Sequence, residues 1–190
     1  KYNIKWVVII SLWTFMMAMI LSIITEGLVY NLDILLAIII LIIIILIGII
    51  FDIIGISVTS AEEKPFHSMA ANRIREAKYA IKLVRNAGEV SNFCNDVIGD
   101  ISGIISGAVG ATIIYRLIGI YDIKNGSILS IIITSLIAAL TVGGKALGKT
   151  IAILYSEKII FQIAKMFSML SKRFKLDLLL NKNKGNRNDK

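Results

Sequence analysis

The chain has 190 residues, 56% of them hydrophobic, a formal charge of +8, one cysteine and one histidine. A soluble domain of this size is about 45–50% apolar, and here the excess falls in uncharged blocks, so a water-soluble globule is excluded. One cysteine (Cys94) rules out an intrachain disulfide and a cysteine metal cage, and one histidine (His67) rules out a histidine cluster.

The first block, Trp6 to Ile24, carries no charge. It is long enough to cross the hydrocarbon layer as a helix at about 1.5 Å per residue. A secretory signal would have a shorter apolar core and a small-residue cleavage site. Thr25-Glu26-Gly27 is a poor one, so a retained helix over about Trp6–Thr25 is expected. A short acidic loop with Glu26 and Asp33 follows. The second block, Ile34 to Phe51, is also uncharged, and Leu35 to Ile50 holds no polar side chain. Backbone groups in lipid must be paired within the segment, so both blocks are read as helices. The second is expected to run to about Val58.

Ala61 to Asn92 is charged and reads as one cytoplasmic juxtamembrane helix. Ser60 would cap it, Glu62 and Glu63 suit its positive N-terminus, Pro65 suits its first turn, and Gly88 would stop it. Phe66, Met69, Ala70, Ile74, Ala77, Ile81 and Val84 recur at helical spacing and form its apolar face. His67 lies in this charged stretch and is read as a surface contact. Cys94 just beyond is read as a small buried hydrophobe.

Two further spans are expected, about Val97–Ile118 and Ile128–Thr150. The first repeats small residues at Gly99, Gly103 and Gly107, a spacing that lets helices approach closely. The second carries Gly143 and Gly144, which permit an unwound turn. A fifth helix to about Phe174 has an apolar stripe of Ile159, Ile160, Ile163, Met166, Phe167, Leu170 and Phe174. Lys158, Gln162, Lys165 and Lys172 oppose it, and this amphipathic form suits either an anionic membrane surface or docking on the bundle with a solvated basic face. Residues 175–190 read as a basic disordered tail.

Charge orients these elements. Lys1 and Lys5 precede the first span, and Lys64, Arg73, Arg75, Lys78, Lys82 and Arg85 lie between the second and third. Lys158, Lys165, Lys172, Arg173 and Lys175 follow the fourth, whereas the other two loops hold only Arg116 and Lys124. The positive-inside rule places the basic side, and both termini, in the cytoplasm. The fold class is therefore all-α integral membrane: four transmembrane helices, a cytoplasmic juxtamembrane helix and a C-terminal amphipathic helix. The lipid bilayer is the first partner. No basic soluble face suited to nucleic acid is visible, and with no nucleophile or metal motif the chain does not read as an enzyme.

Ionisable residues in spans are costly and are functional candidates by default. Here they are Asp52, Asp96, Asp100, Lys145 and Lys149. Asp100 and Lys145 lie on the two small-residue helices and are expected to pair, each reducing the cost of the other. Ser57, Thr59 and Ser60 end the second span. With Asn95, Asp96 and Asp100 they make a set of hard oxygen donors, the type that suits Mg²⁺.

The order of these features resembles the membrane domain of the CorB/CorC and cyclin-M (CNNM) magnesium transporters. The residues that carry the resemblance are Gly55-Ile56-Ser57-Val58-Thr59-Ser60, Ile98-Gly99-Asp100-Ile101 and Gly143-Gly144-Lys145-Ala146-Leu147-Gly148-Lys149-Thr150. They stand where that family has a Ser-Glu-Thr-like motif, Ile-Gly-Asn-Asn and Phe-Gly-Glu-Ile-Leu-Pro-Lys-Ser. Residues 34–174 would be the family-like membrane domain, and residues 1–33 an added helix and outer loop.

The resemblance implies a homodimer that moves a divalent cation, with Ser57 and Asp100 as metal ligands. Thr59, Asn95 and backbone around Gly99 and Gly143 would line the ion site, with Gly103 and Gly107 in helix packing. Its departures imply a damaged site: the family's last-motif carboxylate appears as Lys145, and its first-motif glutamate as Val58. An ammonium beside a bound Mg²⁺ would be strongly repelled at low dielectric. The family's cytoplasmic CBS-pair domains do not appear in these residues, so regulation would fall to a separate subunit. Two functions are thus expected: a divalent cation (Mg²⁺-type) transporter or exporter, or a non-transporting homologue acting as membrane scaffold or partner subunit.

Overall fold

The computed structural model describes residues 4–30, 32–122 and 125–174, without the side chains of Lys5, Trp6, Val7, Ile10, Glu26, Leu28, Lys172, Arg173 and Phe174. The expected tail at 175–190 and the charges of Lys1, Lys5, Glu26, Lys124, Lys172, Arg173 and Lys175 lie outside what is described.

The described residues are helical, with no strand among them. Helices α1 (Ile4–Tyr30), α2 (Ile34–Ser60), α3 (Glu63–Ala71), α4 (Arg75–Arg85) and α5 (Ala87–Asn92) come first. A π-helical segment (Phe93–Gly99) leads into α6 (Asp100–Tyr121), and α7 (Gly126–Leu154) and α8 (Ser156–Phe174) complete the order. Three helices among the described residues are long and apolar enough to cross a membrane: Ile34–Ser60, Ala87–Tyr121 and Gly126–Leu154. In α1 the described apolar stretch, Ser11–Thr25, is shorter. These helices fit a membrane location.

The chain divides into two compact units. The first holds residues 1–52 and 94–148. Its core joins Val29 of α1, Ala37, Leu41 and Ile45 of α2, and Ile101, Ile105, Val109 and Ile113 of α6. The α2 residues recur every four positions, as do those of α6, so each helix buries one stripe. Glycines allow the helices to meet closely. A Cβ on Gly48 would lie 3.0 Å from the Ser102 Cβ, one on Gly110 would collide with Ile137, and one on Gly144 with Ile49. Nothing lies within 4 Å of a Cβ built on Gly103, Gly107 or Gly143. Among the described residues Gly48, Gly99, Gly110 and Gly144 make such close approaches, and the expected Gly103 and Gly107 do not. No unwound turn forms at Gly143-Gly144, which α7 passes through as helix.

The second unit holds residues 53–93 and 149–190. Its core gathers Val58, Ala61, Phe66, Tyr79, Ala80, Leu83, Ile160 and Ala164, and α4 packs on both α3 and α8. The single helix expected over Ala61–Asn92 is in fact three. Ala71 ends the first, and Arg73 adopts a positive φ of 61°, a left-handed conformation uncommon for a non-glycine residue. This break resets the helical phase. The buried residues of α4 are Ala77, Tyr79, Ala80 and Leu83, while the expected Ile81 and Val84 are only half-buried. Ser60 ends α2 instead of capping α3, whose N-cap is Glu62, and Gly88 lies inside α5 instead of stopping a helix. The α8 stripe is also narrower than expected. Ile160, Ala164 and Ser168 are buried, whereas Met166 and Leu170 are exposed.

Candidate functional site

Asp52 lies in the most apolar helix of the chain and is nearly buried. An isolated carboxylate there would be very costly. The structure supplies its counter-charge from α7: Lys145 Nζ lies 2.8 Å from Asp52 Oδ2, with the side chains 31% and 12% exposed. Such a charge-assisted contact is short and strong. The lysine stem covers apolar surface while its head reaches the acid.

The third wall is the π-helical segment. A Cβ on Gly99 would collide with Asp52 Oδ1 and lie 3.4 Å from its Cγ. The carboxylate therefore occupies the space that a side chain at Gly99 would fill. Cys94, also in this segment, is buried with a free thiol. A π turn re-aims backbone and side chains within an otherwise regular helix and recurs at functional sites. Asp52, Lys145 and Gly99 thus form one constellation, built by α2, α7 and the π segment.

This differs from the expected site in its partners. Lys145 pairs with Asp52, not with Asp100, because Asp100 opens the first turn of α6 on its exposed side. Asn95 is half-buried in the π segment and Gly143 is exposed on α7. Ser57 and Thr59 belong to the second unit, apart from the unit that holds Asn95, Gly99, Asp100, Gly143 and Lys145. Ser57 is fully buried, and its hydroxyl donates to the Ala152 carbonyl at 3.3 Å. The Thr59 hydroxyl donates to the Ile56 carbonyl at 2.9 Å, back into its own helix. Both side chains are engaged in holding helices. Among the described residues no three His, Cys, Asp or Glu side chains come together as a metal site would need. The donor set is thus one carboxylate already neutralised by an ammonium, which does not fit a divalent cation.

A signal for the pair was present in the sequence. Asp52 is the one charge in an otherwise apolar α2, and such a residue needs a partner. Lys145 was expected to pair with Asp100, and the direction in which the side chains face gives it Asp52 instead. The π segment had no signal in the sequence.

In the second unit, Glu63 accepts hydrogen bonds from His67 at 3.0 Å and Arg85 at 3.1 Å, tying α3 to α4 on an exposed surface. The bond to His67, then that to Arg85, holds the Glu63 carboxyl below its ordinary range. Tyr79 donates to Ser171 Oγ at 3.1 Å, linking α4 to α8.

Comparison with protein-family models, with curated proteins and with solved structures finds no match to this chain.

Proposed function

We infer that this chain is a non-transporting, multi-pass protein of the cell membrane, acting as a scaffold or partner subunit. One observation carries the reading: the Lys145 ammonium sits on Asp52, the buried carboxylate that a mobile cation would need. A fixed cation on the protein removes both the charge and the space that a transported ion requires. The resemblance to CorB/CorC and CNNM membrane domains supports a common layout. The lysine in the last motif supports loss of the ion site.

The proposed topology has four spans, α1, α2, α5 through α6, and α7, with both ends cytoplasmic, as the basic loops require. The α8 helix lies with its lysines toward anionic headgroups. The protein forms a homodimer. Support comes from α7, which this chain leaves almost uncovered, and from small residues at Gly107, Ala111, Ala139 and Gly143 that are exposed and suit close helix contact.

The test is Mg²⁺ flux into vesicles reconstituted with the natural protein. The reading expects a rate equal to that of empty vesicles, and Mg²⁺ entry or exit above it would contradict the reading. A divalent cation transporter is the second reading. The π turn beside a membrane carboxylate favours it, since such turns recur at functional sites. On that reading flux exists and Asp52→Ala abolishes it.

A further inference from the structure

At the end of α1 and the last turns of α6 the first unit holds a cavity of about 400 Å³, lined by Tyr30, Tyr115, Arg116, Ile118, Gly119 and Ile120. Among the described residues Arg116 is the only charged one that lines it. One guanidinium nitrogen, Nη1, donates to the Val29 carbonyl at 2.9 Å, which fixes the side chain against the negative end of α1. A guanidinium has five N–H donors in a planar fork, so this bond leaves a pre-positioned cation with donors to spare. The half-buried arginine spends little further entropy on receiving a ligand.

The setting narrows the ligand. Tyr30 closes α1, and Tyr115 and Arg116 lie within two turns of the end of α6. On the membrane reading, helix ends bearing tyrosines mark the level where hydrocarbon gives way to headgroups. Tyr30 and Tyr115 are exposed, with ring surface for glycerol or acyl carbons. An arginine fork matches the oxygens of a phosphate. We propose that this cavity binds a phosphate group through Arg116, with Tyr30 and Tyr115 flanking what the phosphate carries. A phospholipid headgroup and free phosphate both offer that chemistry.

The test is thermal unfolding of the full chain in detergent. The probes are a short-chain phosphatidylglycerol, the matching diacylglycerol without phosphate, and inorganic phosphate. A ligand that binds only the folded state raises Tm with concentration. The natural protein should gain several degrees with the phosphate-bearing lipid and nothing with the diacylglycerol. A gain with inorganic phosphate alone would identify free phosphate as the source. Arg116→Gln should lose the gain, but it also loses the bond to Val29. Gly119→Leu keeps that bond, and a Cβ at Gly119 meets nothing within 4 Å, so the variant folds while its side chain obstructs the cavity. It too should lose the gain. No gain with either phosphate probe, an equal gain with the diacylglycerol, or a full gain in Gly119→Leu would overturn the proposal.

Discussion

Lys145 Nζ and Asp52 Oδ2 stand 2.8 Å apart, linking α7 to α2 through the only ion pair that either residue makes among those described. Removing one partner leaves the other charge in a nearly dry place. Asp52→Asn or Lys145→Met should therefore destabilise the protein by up to about 3 kcal/mol, the low end for a buried pair, because Lys145 is 31% exposed. The double change Asp52→Asn with Lys145→Met should recover most of the loss. Thermal unfolding of the four proteins as a double-mutant cycle measures the coupling. Independent, additive effects would mean that the pair contributes nothing.

Gly99 should be the least replaceable glycine of the π segment and α6. Gly99→Ala puts a methyl where the Asp52 carboxylate lies and should lower Tm, with much of the effect absent in an Asp52→Ala background. Gly103→Ala and Gly107→Ala meet open space within the chain and should leave monomer stability unchanged or raised. If those glycines pack between two copies, the same changes should weaken self-association in detergent, read by analytical ultracentrifugation.

Ser57 is a structural residue on this account. Ser57→Ala removes the donor to the Ala152 carbonyl and should cost about 1 kcal/mol, the usual net worth of a hydrogen bond. It should leave any response to divalent cations unchanged. A cation response that depends on Ser57 would place that hydroxyl in an ion site instead.

Glu63 titrates below its ordinary value because His67 and Arg85 donate to its carboxylate. Its folded value lies below the unfolded one. The associated stability is present above the unfolded value of 4.5 and is lost as pH falls through the folded value. Stability curves against pH should show this loss in the natural protein and not in Glu63→Gln. The effect should be small, since the contacts lie at the surface and are screened by solvent.

The helical character of every major element was legible from apolar runs, because the period and length of those runs leave helix as the one solution in lipid. The ends of the C-terminal helix and the reach of α2 were legible to within a few residues. The break between α3 and α4 was not. It rests on Arg73 at φ 61°, with no glycine or proline at the bend to signal it. Once the break resets the phase, Tyr79 replaces Ile81 and Val84 in the core. The identity of the Lys145 partner was not legible for a related reason. Axial depth follows from counting residues, but the side on which Asp100 projects depends on the π turn, which changes the phase between α5 and α6. Ser57 was legible as a polar residue at the end of the second span and was read as a candidate metal ligand, but its burial and its Ala152 partner, 95 residues away, follow only from tertiary packing.

On the proposed function, Lys145 holds the place of a cation beside Asp52. The most direct test of this is a Mg²⁺ titration of thermal stability, run on the natural protein and on Lys145→Glu. The change sets a second carboxylate against Asp52, giving a hard divalent cation two charged oxygen donors. The natural protein should show no Mg²⁺-dependent change in Tm, and Lys145→Glu a concentration-dependent rise. A rise in the natural protein would contradict the proposed function, because the ion would then be binding despite the lysine.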